Sequence, residues 1–376
     1  MRRWKRSAAK WKPAVPELAP PRYTAADFEH SPFVAFYEVT RACDLVCHHC
    51  RACAQRKRHP RELTQAQSLS LIEQFAAFPK PPVLVFTGGD PLKRDDIYDL
   101  VAHARHQGLT VAMTPSATPL VTPSALLRLK DHGLHRLALS LDAVDAATHD
   151  GFRGVPGSFD RTLDILRRAR ELGIPLQVNT TVTRRNVHQI DEMAERLDEL
   201  GIVLWSVFFL VPVGRGLGEE RITPEQYEEV FENLWRQSQQ RRFGIKTTEA
   251  HHFRRFVLQR AGDPQGRSPH RAPMGVNDGR GVMFVSHTGQ VFPSGFMPIE
   301  AGRFPRDSIV EVYRNSETFR SLRRPDDLKG KCGACEFRAV CGGSRARAYA
   351  LTRDPLAAEP DCVYVPESLR KEPLPC

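Results

Sequence analysis

The sequence carries nine cysteines, and eight of them fall in two tight groups. The first group reads Cys43-x3-Cys47-x2-Cys50. Thiolates at that spacing can hold three irons of a 4Fe–4S cube and leave the fourth iron without a protein ligand, which is the condition for a cluster that binds a small molecule. A structural zinc ion would need a fourth ligand, supplied by His48 or His49. Electron carriers usually hold every iron with protein ligands, so three cysteines argue against simple electron transfer. Cys53 lies outside the spacing and reads as a spare thiol.

The second group reads Cys332-x2-Cys335-x5-Cys341, with Cys362 further on. Four thiolates close a 4Fe–4S cluster completely. They can also bind zinc, although the spacing differs from the paired Cys-x2-Cys of zinc ribbons. Cys376 ends the chain and reads as a free thiol. Two tight groups in a long chain point to metal sites in a reducing cytoplasm rather than to the disulfides of a secreted protein. The basic start, MRRWKRSAAKWKP, is followed by no apolar signal segment. No apolar run reaches the length of about 18 residues that a membrane span requires. The net charge of +10 suits an anionic small substrate, such as one with several carboxylates. No basic block is interleaved with aromatics as in single-strand binders, so nucleic acid is not an expected partner.

These groups need elements to position them. With 376 residues, 41% of them hydrophobic, the chain can bury a large core. From residue 33, β-rich runs alternate with helical ones. FVAFYEVT, VLVFTGG, LTVAMTP, HRLALSLD, PLQVNTTVT and IVLWSVFFLVPV read as six strands, with helices between them over 33–213. Thr64 and Pro123 mark helix starts, and Gly108 and Gly133 mark helix ends. Six βα repeats predict an α/β fold with a parallel sheet and right-handed crossovers, arranged as a partial (β/α)6 barrel. The loops at the C-terminal ends of its strands would hold the chemistry. After Val213 the pattern changes. Residues 223–260 read as helical, with a capping box at Thr223–Gln226. GVMFVSHTGQVFPSG reads as a hairpin, and a loop-rich iron–sulfur module follows. The expected units are an arm (1–32), the barrel (33–214), a helical bridge (215–270) and the small module (271–376).

The Gly88-Gly89 turn after the second strand would let backbone approach a ligand closely. Ser116, Ser140, Asp142, Asn179 and Thr181 sit at or near later strand ends, where barrels present ligand groups. Cys-x3-Cys-x2-Cys after the first strand of a six-fold βα pattern resembles the radical S-adenosylmethionine superfamily. That resemblance implies one 4Fe–4S cluster on Cys43, Cys47 and Cys50. Its open iron would chelate S-adenosylmethionine, and reductive cleavage would give a 5′-deoxyadenosyl radical. An electron donor such as flavodoxin or ferredoxin is implied as well. His49 stands where the family usually has an aromatic residue near the adenine. Gly88-Gly89-Asp90-Pro91 resembles the family's Gly-Gly-Glu-Pro motif, which contacts the methionine amino group, with Asp90 replacing the commoner Glu. Ser116, Ser140, Asp142 and Asn179 match positions that contact ribose and carboxylate, and Val211–Gly216 would flank the adenine.

The second group resembles the SPASM module of the same superfamily. A full module carries two clusters, but here Ser294 and Arg345 stand where cysteines of the inner one would be. Cys332, Cys335, Cys341 and Cys362 match the outer 4Fe–4S cluster, so two clusters are expected in all. TPSATPLVT, SLDAVDAATHDGFRGVPGSFDRTL and CGGSRARAYALTRD further resemble the branch of alternative heme and heme d1 biosynthesis. This implies a tetrapyrrole whose propionate side chain loses CO2 or rearranges. Arg153, Arg215, Arg271, Arg280, Arg345 and Arg347 are candidate carboxylate binders. His251 and His252 are candidate axial ligands. No titratable residue stands out as a general acid or base. The alternative is a maturase of ribosomal peptides, whose winged-helix domain would not fit in 32 N-terminal residues. A remote alternative is a non-catalytic iron–sulfur electron carrier.

Overall fold

The computed structural model describes residues 23–261 and 275–370. Most of the N-terminal arm, Arg271 and Cys376 lie outside the described residues. Among the described residues, no helix is long and apolar enough to cross a membrane.

The six expected βα units are present. They are β1 (Val34–Thr40) with α1 (Gln65–Ala76), β2 (Val83–Gly88) with α2 (Ile97–His106), and β3 (Thr110–Met113) with α3 (Pro123–Asp131). Then come β4 (Arg136–Ser140) with α4 (Ala146–Arg153) and α5 (Ser158–Glu171), β5 (Leu176–Val182) with α6 (Ile190–Leu200), and β6 (Leu204–Phe209) with α7 (Pro224–Gln240). β1 to β6 pair in parallel and in chain order. This is the expected partial barrel. Local chemistry sets the helix starts. Thr64 and Thr223 form capping boxes with Gln67 and Gln226, and Thr122 caps α3 ahead of Pro123.

β5 shows how the strands divide core from lumen. Leu176, Val178, Thr180 and Val182 are buried on one face, while Gln177, Asn179 and Thr181 are half-buried on the other. The apolar face packs under the helices, and the polar face lines an open lumen.

Three features differ from the expectation. α4 is a separate short helix, capped by Asp145 at its start and closed by Gly154 in the left-handed region. The span expected to be helical over 223–260 is broken by β7 (Gly244–Thr248), which pairs parallel to β6 before α8 (His252–Ala261) begins. Buried Phe243 and Ile245 anchor that strand. The hairpin is also part of the barrel sheet. β8 (Val282–Val285) pairs parallel to β1, and β9 (Gln290–Phe292) and β10 (Gly302–Arg303) follow it. One ten-stranded sheet, β10-β9-β8-β1-β2-β3-β4-β5-β6-β7, thus runs through residues expected to form three units.

Candidate functional site

The first cysteine group lies on the loop after β1, and other segments fix it by backbone hydrogen bonds. Cys43 N donates to Gln55 O (2.7 Å), His48 N to Phe152 O (3.0 Å) and Arg215 N to Cys50 O (3.1 Å). From β2, Gly89 N donates to Thr40 O (2.8 Å) and Asp90 N to Ala42 O (2.7 Å). This explains the paired glycines. A Cβ on Gly88, whose φ is +147°, would lie 2.2 Å from Thr40 O, and one on Gly89 would lie 2.3 Å from Ala42 O. The turn is glycine because it packs directly on the cysteine loop, in addition to any approach of a ligand. Gly89→Ala is therefore expected to displace the loop at a cost of about 1–3 kcal/mol. Reconstituted iron would fall to roughly half as the first cluster is lost. Unchanged iron content in that variant would refute this packing role.

The three cysteines open onto a cavity of about 1140 Å³, its mouth included. Of the expected residues, His49, Gly88, Gly89, Ser116, Ser140, Asn179 and Thr181 all line it. Ser116 Oγ donates to Gly89 O (2.8 Å) and lies 3.2 Å from Cys43 Sγ. His49 packs against Phe152, with ring centres 4.4 Å apart. Burial, then neighbouring Arg153, lowers its pKa to about 3, so it presents a neutral ring.

Two expected residues stand behind the wall instead. Asp90 is buried, and its carboxylate accepts from Thr118 Oγ1 (2.6 Å) and Leu92 N (3.2 Å). Burial raises its pKa to about 6. Asp142 accepts from Thr181 N (2.8 Å) and pairs with Arg153 Nη2 (2.5 Å). Burial, the largest single influence, would raise its pKa, but Arg153, His49, His149 and the Thr181 N–H together hold the carboxyl below the usual range.

The candidate arginines are largely structural. Arg153 also reaches Cys47 Sγ (3.7 Å), and Arg215 donates to Cys47 O (2.8 Å) and Ala54 O (3.2 Å). Arg280 donates to Ala339 O (2.7 Å), and Arg345 to Ala357 O (2.6 Å) and Pro355 O (3.1 Å). Arg347 is enclosed with Glu359 and Asp361. His251 and His252 are buried at the start of α8, and the His252 ring packs 5.1 Å from Tyr227 and 4.8 Å from Phe231. Neither lines the first cavity. Arg51, Phe208 and Phe296 do line it and were missed. Arg51 adjoins Cys50 in sequence, which was the available signal.

Cys332, Cys335, Cys341 and Cys362 line a second cavity with His252, Arg255 and Tyr364. Glu359 N donates to Cys332 Sγ (3.2 Å) and Gly343 N to Cys341 Sγ (3.4 Å). Such N–H groups suit the sulfurs of an iron–sulfur cluster. Ser294 is buried and accepts from Phe296 N (3.2 Å), and Arg345 is buried as well, so neither vacated position offers a metal ligand.

The donor sets fit iron–sulfur clusters. Each cysteine set rings a cavity, with three thiols at the first and four at the second, as a 4Fe–4S cube with one open iron and a fully ligated one would need. Burial pushes the thiols of Cys43 and Cys362 up to about 11 and that of Cys341 up to about 12. Metal binding must therefore release protons. His49 Nδ1, Arg153 Nε and Arg215 Nη2 are buried polar atoms without protein partners beside the first group, as a bound polar group would require.

Residues 37–197 match the Radical SAM superfamily. The chain is 40% identical over 341 residues to the AdoMet-dependent heme synthase of Nitratidesulfovibrio vulgaris, covering 89% of this chain and 92% of that protein. It is 30% identical over 350 residues to the pre-heme d1 synthase of Dinoroseobacter shibae, covering 88% and 85%. Streptococcus suis SuiB bound to S-adenosylmethionine has the same fold, with a TM-score of 0.69 at 17% identity over 89% of this chain and 78% of that one.

Proposed function

The chain belongs to the radical S-adenosylmethionine superfamily, and from that membership we propose that it modifies propionate side chains of a heme-type tetrapyrrole. One observation carries this reading: its similarity to a heme synthase extends over nine-tenths of both chains. Together with the cluster, S-adenosylmethionine would supply, when bound, a primary-carbon radical able to take one hydrogen atom from an unactivated propionate Cβ; the side-chain radical then either rearranges or loses CO2 to leave a vinyl group, its remaining electron passing to a one-electron acceptor of the iron–sulfur class.

The chain's own residues do the binding and positioning. Cys43, Cys47 and Cys50 hold the first cluster, and Cys332, Cys335, Cys341 and Cys362 the second. Gly88, Gly89, Ser116, Ser140, Asn179 and Thr181 surround the place for S-adenosylmethionine, and His49 offers a neutral ring toward its adenine. Asp90 and Asp142 act one layer back, bracing Thr118, Thr181 and Arg153. Phe208, Leu210, Val211 and Phe296 line the cavity's apolar side and exclude water there. The reading also takes a reducing cytoplasm and a flavodoxin or ferredoxin as electron source.

The test is to incubate anaerobically reconstituted protein with reductant, S-adenosylmethionine and iron-coproporphyrin. The expected result is one 5′-deoxyadenosine for each propionate changed, followed by mass spectrometry of the porphyrin. Deoxyadenosine formed with the porphyrin left intact, and a precursor peptide modified instead, would replace this reading with peptide maturation.

A further inference from the structure

Three arginines line the first cavity, and two of them face its cysteine loop. Arg153 is held by Asp142 and Cys47, and Arg215 by the carbonyls of Cys47 and Ala54. Arg51 differs. Its guanidinium lies 4.5 Å from the centre of the Phe284 ring and 6.0 Å from that of Phe296. Gly295 makes room for it, because a Cβ there would stand 3.0 Å from Cζ and Nε. One edge is fixed, with Nη1 3.3 Å from Glu38 Oε1. Buried Glu38 is itself anchored, its other oxygen 2.7 Å from His287 Nδ1 in the β8–β9 turn.

Two other parts of the chain thus restrain a guanidinium carried by the cysteine loop: β1, and the β8–β9 hairpin with the segment after it. Its Nε and Nη2 have no protein hydrogen-bond partner among the described residues, and the side chain keeps 19% of its surface exposed. A planar fork with its rotation already restrained suits bidentate capture of a carboxylate, with little further ordering on binding. The surroundings suit what such a carboxylate is attached to. Phe208 and Phe296 both line the cavity and pack against one another, with ring centres 6.3 Å apart and planes tilted by 53°, an apolar wall beside the charge.

We infer that Arg51 is the substrate's carboxylate anchor, taking one carboxylate arm on its free edge while Phe208 and Phe296 receive the ring to which that arm is joined. This deepens the tetrapyrrole reading above and rests on it. Glu38 already offsets part of the cationic charge, so the fork's hydrogen bonds carry most of the effect.

The test is equilibrium binding to reconstituted holoenzyme, followed by porphyrin absorbance. Iron-coproporphyrin is compared with its tetramethyl ester. Wild-type protein should prefer the acid. Arg51→Gln should weaken acid binding by roughly 10- to 100-fold, a charged hydrogen-bonding pair's effect. Ester binding should change little, and the preference should vanish. Arg51→Lys, which keeps the charge and loses the fork, should fall between. It carries the test if the glutamine variant loses iron. Equal weakening of acid and ester would overturn the inference, as would a parallel loss of S-adenosylmethionine affinity. Wild-type protein that binds neither porphyrin would overturn the tetrapyrrole reading itself, and the inference with it.

Discussion

Cys47→Ala is expected to reduce 5′-deoxyadenosine formation by roughly a thousand-fold or more, on the order of 4 kcal/mol in barrier. Iron should fall from about eight to about four per chain as the first cluster is lost and the second stays. Cys47 is the middle member of its group and is the one tied to the rest of the wall. Its thiol lies 3.7 Å from Arg153, which is paired with Asp142, which in turn accepts from β5 through Thr181 N. Removing it leaves two thiols for a cube that needs three. Cys53→Ala is the control. Cys53 is exposed, sits at a φ of +46° and does not line the cavity. That variant should keep its iron and its deoxyadenosine. If Cys47→Ala retained both products of the wild-type protein, the assignment of the first site would be wrong.

The parts legible in the sequence were those written in local patterns. Apolar, β-rich runs alternating with helical ones marked the six βα units. Thr64, Pro123 and Thr223 placed helix starts to within a residue. The cysteine spacings are local too, and the structure brings each set to one cavity. What escaped depends on contacts distant in the chain. β7 is five residues of modest apolarity between two charged helices, and only its pairing with β6 makes it a strand. β8 reads as half of a hairpin. Its second partner, β1, lies almost 250 residues earlier, and nothing in either segment names the other. The arginines show the same limit at the level of side chains. Their composition suggests carboxylate binding, yet whether Arg345 meets a substrate or the carbonyls of Pro355 and Ala357 is decided by the fold. Asp90 and Asp142 read as ligand groups at strand ends, whereas their carboxylates brace the cavity wall through Thr118, Thr181 and Arg153.

Arg347→Leu should destabilise the protein by about 3–5 kcal/mol, the range for breaking a buried ion pair from one side. Arg347 is fully buried. It pairs with Glu359 Oε1 (2.9 Å) and Asp361 Oδ2 (3.2 Å), and its Nη2 donates to Glu249 O (2.6 Å). Its guanidinium lies 5.1 Å from the centre of the Tyr227 ring. These contacts fasten the helix Arg345–Thr352 to the ends of the barrel strands and to the segment that carries Cys362. Leucine fills part of the volume but leaves Glu359 without its cation, and Glu359 is 1% exposed. Asp361 suffers less, because Arg221 Nη1 also reaches it at 2.6 Å. The cost should therefore centre on Glu359, and Arg347→Leu/Glu359→Leu should recover much of it, since burying neither charge is better than burying one. The loss should reach the metal as well. Glu359 N donates to Cys332 Sγ, so movement of that segment loosens the second cysteine set first. Denaturant unfolding of the two variants and the wild-type protein, with iron counted in each, decides the point. The single variant should unfold first and hold about half the iron. A double variant no more stable than the single one would mean that Arg347 contributes through packing on Tyr227 rather than through charge.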